Sequence, residues 1–294
     1  MRWFKGLLLA TAAIIGFAAT FVLGAELTKH RGVSPEVLAF LRFTLAGAAL
    51  FIVGVATQKG RRRLFAPTRT DWLRFAWLGP VGTSLMAWCV FMGCARVSAA
   101  NASMADALTP LMIFAMSAIR LRRINLREIV GLVCGFVGAL LVIQVVHAGG
   151  LALEAYSSGD IFVLLAAATW AFYTVYGRDP VVRLGSSVFT TWTMLFGALS
   201  LGLLLPFGSF AWPEDPASWG LVIALAGFST LMPFWAWNAA QKYLPMSVLG
   251  ISAYFTPVAA MLLAMLFLGE SATLLQWVGT GFVVLSAFGV EKRA

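Results

Sequence analysis

Charge is scarce in this chain: Asp, Glu, Lys and Arg together supply only 11% of its 294 residues, where an ordinary soluble domain carries roughly a quarter. Hydrophobic residues make up 61%, more than a soluble sphere can hide, so a water-soluble globule is excluded. Histidine occurs twice, at His30 and His147, both in expected loops. Cysteine occurs three times, at Cys89, Cys94 and Cys134, inside apolar stretches and without the close spacing and His partners of a zinc site. The cysteines therefore read as packing residues. No His-Glu-x-x-His pair, no Gly-rich phosphate loop and no nucleophile with a matched base is present. An intramembrane enzyme, an ATP-driven pump and a resident metal or cofactor are all unsupported.

What is there is length in apolar runs. A membrane helix needs about 20 mainly apolar residues, so the chain holds ten of them with short connections and little else. Hydropathy and punctuation predict helices near 6–25, 36–56, 72–95, 98–119 and 126–146, then near 159–177, 184–205, 217–241, 246–268 and 273–290. The fold class expected is an all-α membrane protein. The first run follows Arg2 and Lys5 like a signal peptide, but it exceeds the usual 7 to 15 apolar residues, so it reads as a retained span.

The net charge of +9 would suggest nucleic acid in a soluble protein. Here the positive residues sort by loop. Arg2 and Lys5, the group from Lys59 through Arg74, the group from Arg120 through Arg127, and Arg178, Arg183, Lys242, Lys292 and Arg293 fall on one side. The other side keeps Lys29, Arg31 and Arg96, and the loops holding Glu154 with Asp160 and Glu214 with Asp215 have no Lys or Arg. By the positive-inside rule both termini are expected in the cytoplasm, of a bacterial inner membrane. The partners expected are lipid and a small-molecule substrate rather than nucleic acid.

The chain also repeats itself. Thr109 and Pro110 match Thr256 and Pro257 at an offset of 147 residues, and at the same offset Thr83 matches Thr230 and Trp88 matches Trp235. Halves 1–147 and 157–294 with five spans each, an odd number, enter the bilayer from opposite sides. Two inverted five-helix repeats follow, a common transporter design with the site near the midplane.

The second half carries a resemblance. Trp237 and Asn238 are followed by AAQKYLPMSVLGISAYFTPVAAMLLAMLFLGE, which is similar to the Trp-Asn, Leu-Pro, Tyr-x-x-Pro-Val and Leu-Gly-Glu landmarks of the EamA-type branch of the drug/metabolite transporter superfamily. The first half departs from it, with Leu-Arg-Arg at 121–123 where such repeats often end in Leu-Gly-Glu. The resemblance implies a ten-helix secondary transporter, typically an exporter of amino acids, other metabolites or amphipathic and cationic drug-like compounds.

Residues able to carry transport follow from burial cost. Asp106, about 12 Å into its span, costs on the order of 3 kcal/mol to insert and is expected to bind substrate or exchange protons, or else to hold two helices together, neutral and hydrogen-bonded or paired with Arg42. Arg42 either snorkels to the outer face or turns inward to grip a carboxylate. Phe17, Trp88, Trp170, Trp235 and Tyr254 are the aromatic candidates for a pocket wall, with Asn238 beside them. Pro110 and Pro257, with Pro80 and Pro233, are expected to kink their spans and free backbone carbonyls. Gly131, Gly135, Gly138 and Gly279 offer close packing, either within the bundle or across a homodimer.

Overall fold

A computed structural model describes residues 2–96, 99–121, 126–142, 146–147, 150–151, 158–208, 210–268 and 271–288. Within these, the side chains at 94, 99–107, 121, 126–127, 142, 146–147, 150–151, 158, 160, 260, 264, 266–268 and 287–288 are not described. The described residues are almost wholly helical, with one two-residue antiparallel pairing among them, β1 (Val146–His147) with β2 (Gly150–Leu151). Among the described residues, seven helical stretches are long and apolar enough to cross a membrane: Arg2–His30, Pro35–Val55, Arg69–Gly93, Ile161–Leu184, Ser186–Phe207, Pro216–Ala240 and Met246–Leu263. Leu108–Arg120, Glu128–Leu141 and Leu274–Ser286 are shorter apolar helices.

In chain order, α1 (Arg2–Ala25) continues through a π-helical stretch, Glu26–His30, to a short link into α2 (Pro35–Val55), and a basic surface helix, α3 (Gln58–Leu64), follows. The third rod begins as α4 (Arg69–Gly79), capped by Thr68 and Asp71 in a reciprocal box, and resumes as α5 (Met86–Arg96). Between them Pro80–Leu85 is a wide π-turn. The rod from α10 (Pro216–Ala226) to α11 (Met232–Ala240) is built the same way, with its π-turn at Gly227–Leu231. The two π-turns start 147 residues apart, the offset of the sequence repeat. In the second of them a proline contributes. Pro233 has no N–H to give Ser229, four residues back, and the widened turn takes up the extra residue.

The remaining helices are α6 (Ala99–Leu121), α7 (Leu126–Val142), α8 (Ser158–Leu184), α9 (Ser186–Gly202), α12 (Met246–Ser252), α13 (Phe255–Leu268) and α14 (Leu274–Phe288). α8 runs past the expected end near 177 because Arg178 and Asp179 find partners there, Arg178 on the Leu244 carbonyl at 3.1 Å and Asp179 on Arg120. Gly185, at φ +99°, makes the tight reversal into α9 that a side chain would resist.

Helix pairing follows small residues. A Cβ on Gly138 would meet the Gly279 carbonyl at 2.7 Å, so this stripe is used inside the bundle, between α7 and α14. A Cβ on Gly16 would meet the Phe228 carbonyl at 2.8 Å, which seats α1 on the second π-turn. At one end of the bundle Arg31 pairs with Glu26 and Asp215. Hydrogen bonds from the Ser218 hydroxyl and amide hold the Asp215 carboxyl below its usual range. At the other end lie the Arg183–Asp71 and Arg120–Asp179 pairs.

Candidate functional site

α1, α2, α5, α6, α8, α11 and the α12–α13 junction enclose a central cavity of about 70 Å³. At roughly 10–15 Å³ per water it holds a handful of waters, so binding anything larger requires the helices to part. Phe17, Trp170, Phe234 and Trp237 form its aromatic wall, and Arg42 is its charged group among the described residues. Thr109 and Thr256, the repeated threonines, both line it.

Arg42 turns inward and is only 2% exposed, which removes the snorkelling alternative. Its Nε donates to Thr230 Oγ1 at 2.9 Å and its Nη2 to the Ser229 carbonyl at 3.4 Å. The second π-turn creates both acceptors. Pro233 leaves the Ser229 carbonyl without a helical donor, and Thr20 from α1 also bonds to it at 3.1 Å. Thr230 in turn donates to the Leu225 carbonyl at 2.8 Å, five residues back. The guanidinium lies 5.0 Å from the Phe43 ring and 5.3 Å from the Phe91 ring. Among the described residues no carboxylate pairs with it. A buried guanidinium with neutral partners keeps donors with which it can bond an anionic group.

The rings pack as one unit. Phe17 meets Trp170 at 5.2 Å, Phe234 at 5.6 Å and Trp237 at 6.0 Å, and Trp170 stacks on Tyr173 at 5.3 Å. Beside this wall runs a buried polar chain. Asn238 donates to the Tyr173 hydroxyl and to Thr190, each at 2.9 Å, and accepts from Gln241 at 3.0 Å. Trp237 Nε1 reaches Thr174 at 3.2 Å.

Of the residues singled out in the sequence, the cavity brings together Arg42, Phe17 and Trp170. Asn238 supports its wall through Tyr173 rather than lining it. Trp235 points away, 36% exposed, with its N–H on Ser187 at 3.0 Å. Its repeat partner Trp88 likewise leaves the cavity and donates to Glu36 at 2.8 Å. Tyr254 is buried against Gly135 in another cluster, and its neighbour Ala253 lines the cavity instead. Pro257 follows a helix break at residues 253–254, whereas Pro110 sits within the continuous α6. The Asp106 side chain lies outside the described residues.

Phe21, Phe234 and Trp237 line the cavity without having been singled out for it in the sequence, where Trp237 appears only in the Trp-Asn landmark. The signal for Phe234 and Trp237 is periodicity: Phe234, Trp237, Asn238 and Gln241 are all buried at helical spacing.

The sequence profile of the EamA-like transporter family matches this chain twice, over residues 4–144 and 157–291. The chain belongs to the EamA-like transporter family. Among its relatives, the uncharacterized transporter YyaM of Bacillus subtilis is 26% identical over 290 residues, covering 95% of this chain and 93% of that one. The aromatic amino acid exporter YddG of Ancylobacter novellus is 27% identical over 261 residues, covering 86% and 88%. The uncharacterized inner membrane transporter YicL of Salmonella typhimurium is 24% identical over 300 residues, covering 99% and 97%. A solved crystal structure superposes with a TM-score of 0.72 at 23% identity, covering 95% of this chain and 96% of that one, which fixes the fold. This family member is thus an integral, multi-pass membrane protein acting on small molecules.

Proposed function

We propose that this transporter exports carboxylate-bearing metabolites of amino-acid size by alternating access around the Arg42 cavity. The observation that carries the reading is Arg42 itself, buried beside an aromatic wall with no acid of the protein paired to it among the described residues. Keeping such a charge desolvated costs stability, and a substrate carboxylate offsets the cost when it binds. Among the substrates expected of the resemblance, this favours amino acids over purely cationic compounds. A family relative that exports aromatic amino acids supports the same choice.

The architecture proposed is ten spans in two inverted halves, divided near residues 147–157. The seven long stretches and three shorter apolar helices supply the ten. The π-turns support the repeat, as does the pairing of helices: α1 packs on α11 as α8 packs on α5, while α2 meets α9 and α7 meets α14. We place both termini in the cytoplasm of a bacterial inner membrane. That choice is supported by the charge asymmetry, and by Arg31 meeting Asp215 at one end while Arg183 meets Asp71 at the other. Asp106, three residues before Thr109, is the proposed coupling acid.

The test is efflux from liposomes holding purified protein, with and without a pH gradient, across amino acids and organic cations. Export of amino acids, faster against a proton gradient, is the expected result. Transport of cations alone would sink the carboxylate reading. No transport of any compound would favour a passive membrane scaffold.

A further inference from the structure

We propose that a second pocket, at the cytoplasmic end of the bundle between Ser117, Arg120, Arg178 and Asp179, is the intake site where the substrate carboxylate first binds. The proposal rests on the orientation and carboxylate chemistry argued above. The pocket is about 290 Å³ and is lined also by Val175, Pro245 and Met246. That volume lies at the lower edge of those that hold small ligands, roughly 300–1,000 Å³.

Three features suit it to an anion. First, two guanidiniums face one carboxylate. Arg178 spends a donor on the Leu244 carbonyl and keeps others, since the group has five. Second, the Arg120–Asp179 pair is open to water. Its side chains are 30% and 57% exposed, and water screens such a pair strongly. Third, the Ser117 hydroxyl is buried and has no hydrogen-bond partner among the described residues. A polar group left dry and unpaired is unfavourable, and a bound carboxylate oxygen relieves it.

Two helices tie this pocket to the central cavity. On α6, Thr109 lines the cavity and Ser117 the pocket; on α8, Trp170 and Arg178 do the same. Each interval is eight residues, about 12 Å of helix, so the pocket lies one substrate length below the aromatic wall. Arg120 belongs to the first half of the chain and Asp179 to the second. A carboxylate that displaces Asp179 from Arg120 therefore removes one tie between α6 and α8, leaving those of Arg120 to the Val175 carbonyl and the Tyr176 ring. Intake of the substrate thus loosens this end of the bundle, and the carboxylate then passes upward to Arg42.

The experiment is cysteine protection at Met246, a buried wall residue of the pocket. Met246→Cys is labelled with a membrane-impermeant maleimide on inside-out vesicles, and labelling of the parent chain is subtracted. The probes are 3-phenylpropionate, which has the carboxylate alone, and phenethylamine, which has the amine alone. Expected is at least threefold slower labelling with 3-phenylpropionate and none with phenethylamine. Protection should vanish in Arg178→Gln, return in part in Arg178→Lys, and persist in Arg42→Gln. Equal protection by both probes, no protection, or protection that survives Arg178→Gln would overturn the intake site. Loss of protection in Arg42→Gln would overturn it too, since the probe would then act through the central cavity. If instead Arg42→Gln transports normally while protection stands, the central-cavity reading fails and the intake site remains.

Discussion

Replacing Arg42 with Gln separates a receptor from a brace, because the two roles move affinity and stability in opposite ways. As a receptor, Arg42 supplies charge-assisted hydrogen bonds to the substrate, worth about 1.5–3 kcal/mol. At about 1.4 kcal/mol per decade, their loss raises KM roughly ten- to a hundredfold. The stability side carries the opposite sign. The wild-type side chain is a buried cation whose described partners are a hydroxyl, a carbonyl and two ring faces, and removing an unpaired buried charge relieves desolvation. Gln keeps an N–H for Thr230 or Ser229. Melting of the purified protein should therefore hold or rise while KM climbs. Arg42→Lys keeps the charge but loses the fork, and should fall between. Initial-rate transport in liposomes and a thermal melt in detergent read the two quantities. An unchanged KM with a melting point several degrees lower would refute the reasoning and make Arg42 a tie between α2 and the second π-turn.

Other outcomes follow from the same geometry. Trp237→Ala opens the aromatic wall and should lower transport at least tenfold, whereas Trp235→Ala, whose ring faces outward, should leave it near wild type; equal losses in rate assays would contradict the assignment. Gly197→Ala would push a Cβ to 2.0 Å from Thr83 Oγ1, so a loss of about 1–3 kcal/mol is expected, read as a lower melting temperature. Asp106→Asn should abolish the response of transport to a pH gradient, and an unaltered response at equal protein level would remove Asp106 from coupling.

Much of the fold was legible because lipid imposes simple demands: apolar length, basic loops on one side, and punctuation between spans. The partner-rich stretch at Arg178 and Asp179 misled the reading of one boundary, since charges usually end an apolar run and here they cap a longer helix at the bundle's end. The site was legible in part. Arg42, Phe17 and Trp170 stood out as residues costly or bulky for their positions. Trp235 stood out for a different reason, its match with Trp88, and that match reflects a shared outward role in which each indole N–H anchors a neighbouring helix. Aligning repeats recovers equivalent residues, not which face they occupy. The π-turns were the hidden variable. Each inserts a residue into the helical count and rotates everything after it, so the phase of Phe234 and Trp237 depends on a widening that hydropathy does not register.

The central claim is that a carboxylate is recognised by Arg42, and substrate counterflow tests it most directly. Liposomes preloaded with an unlabelled aromatic amino acid would be diluted into the same compound carrying a radiolabel, beside a parallel set using the decarboxylated amine. The account predicts label accumulation for the amino acid in the wild type, its loss in Arg42→Gln, and none for the amine in either. Accumulation of the amine, or of the amino acid undiminished in Arg42→Gln, would contradict it.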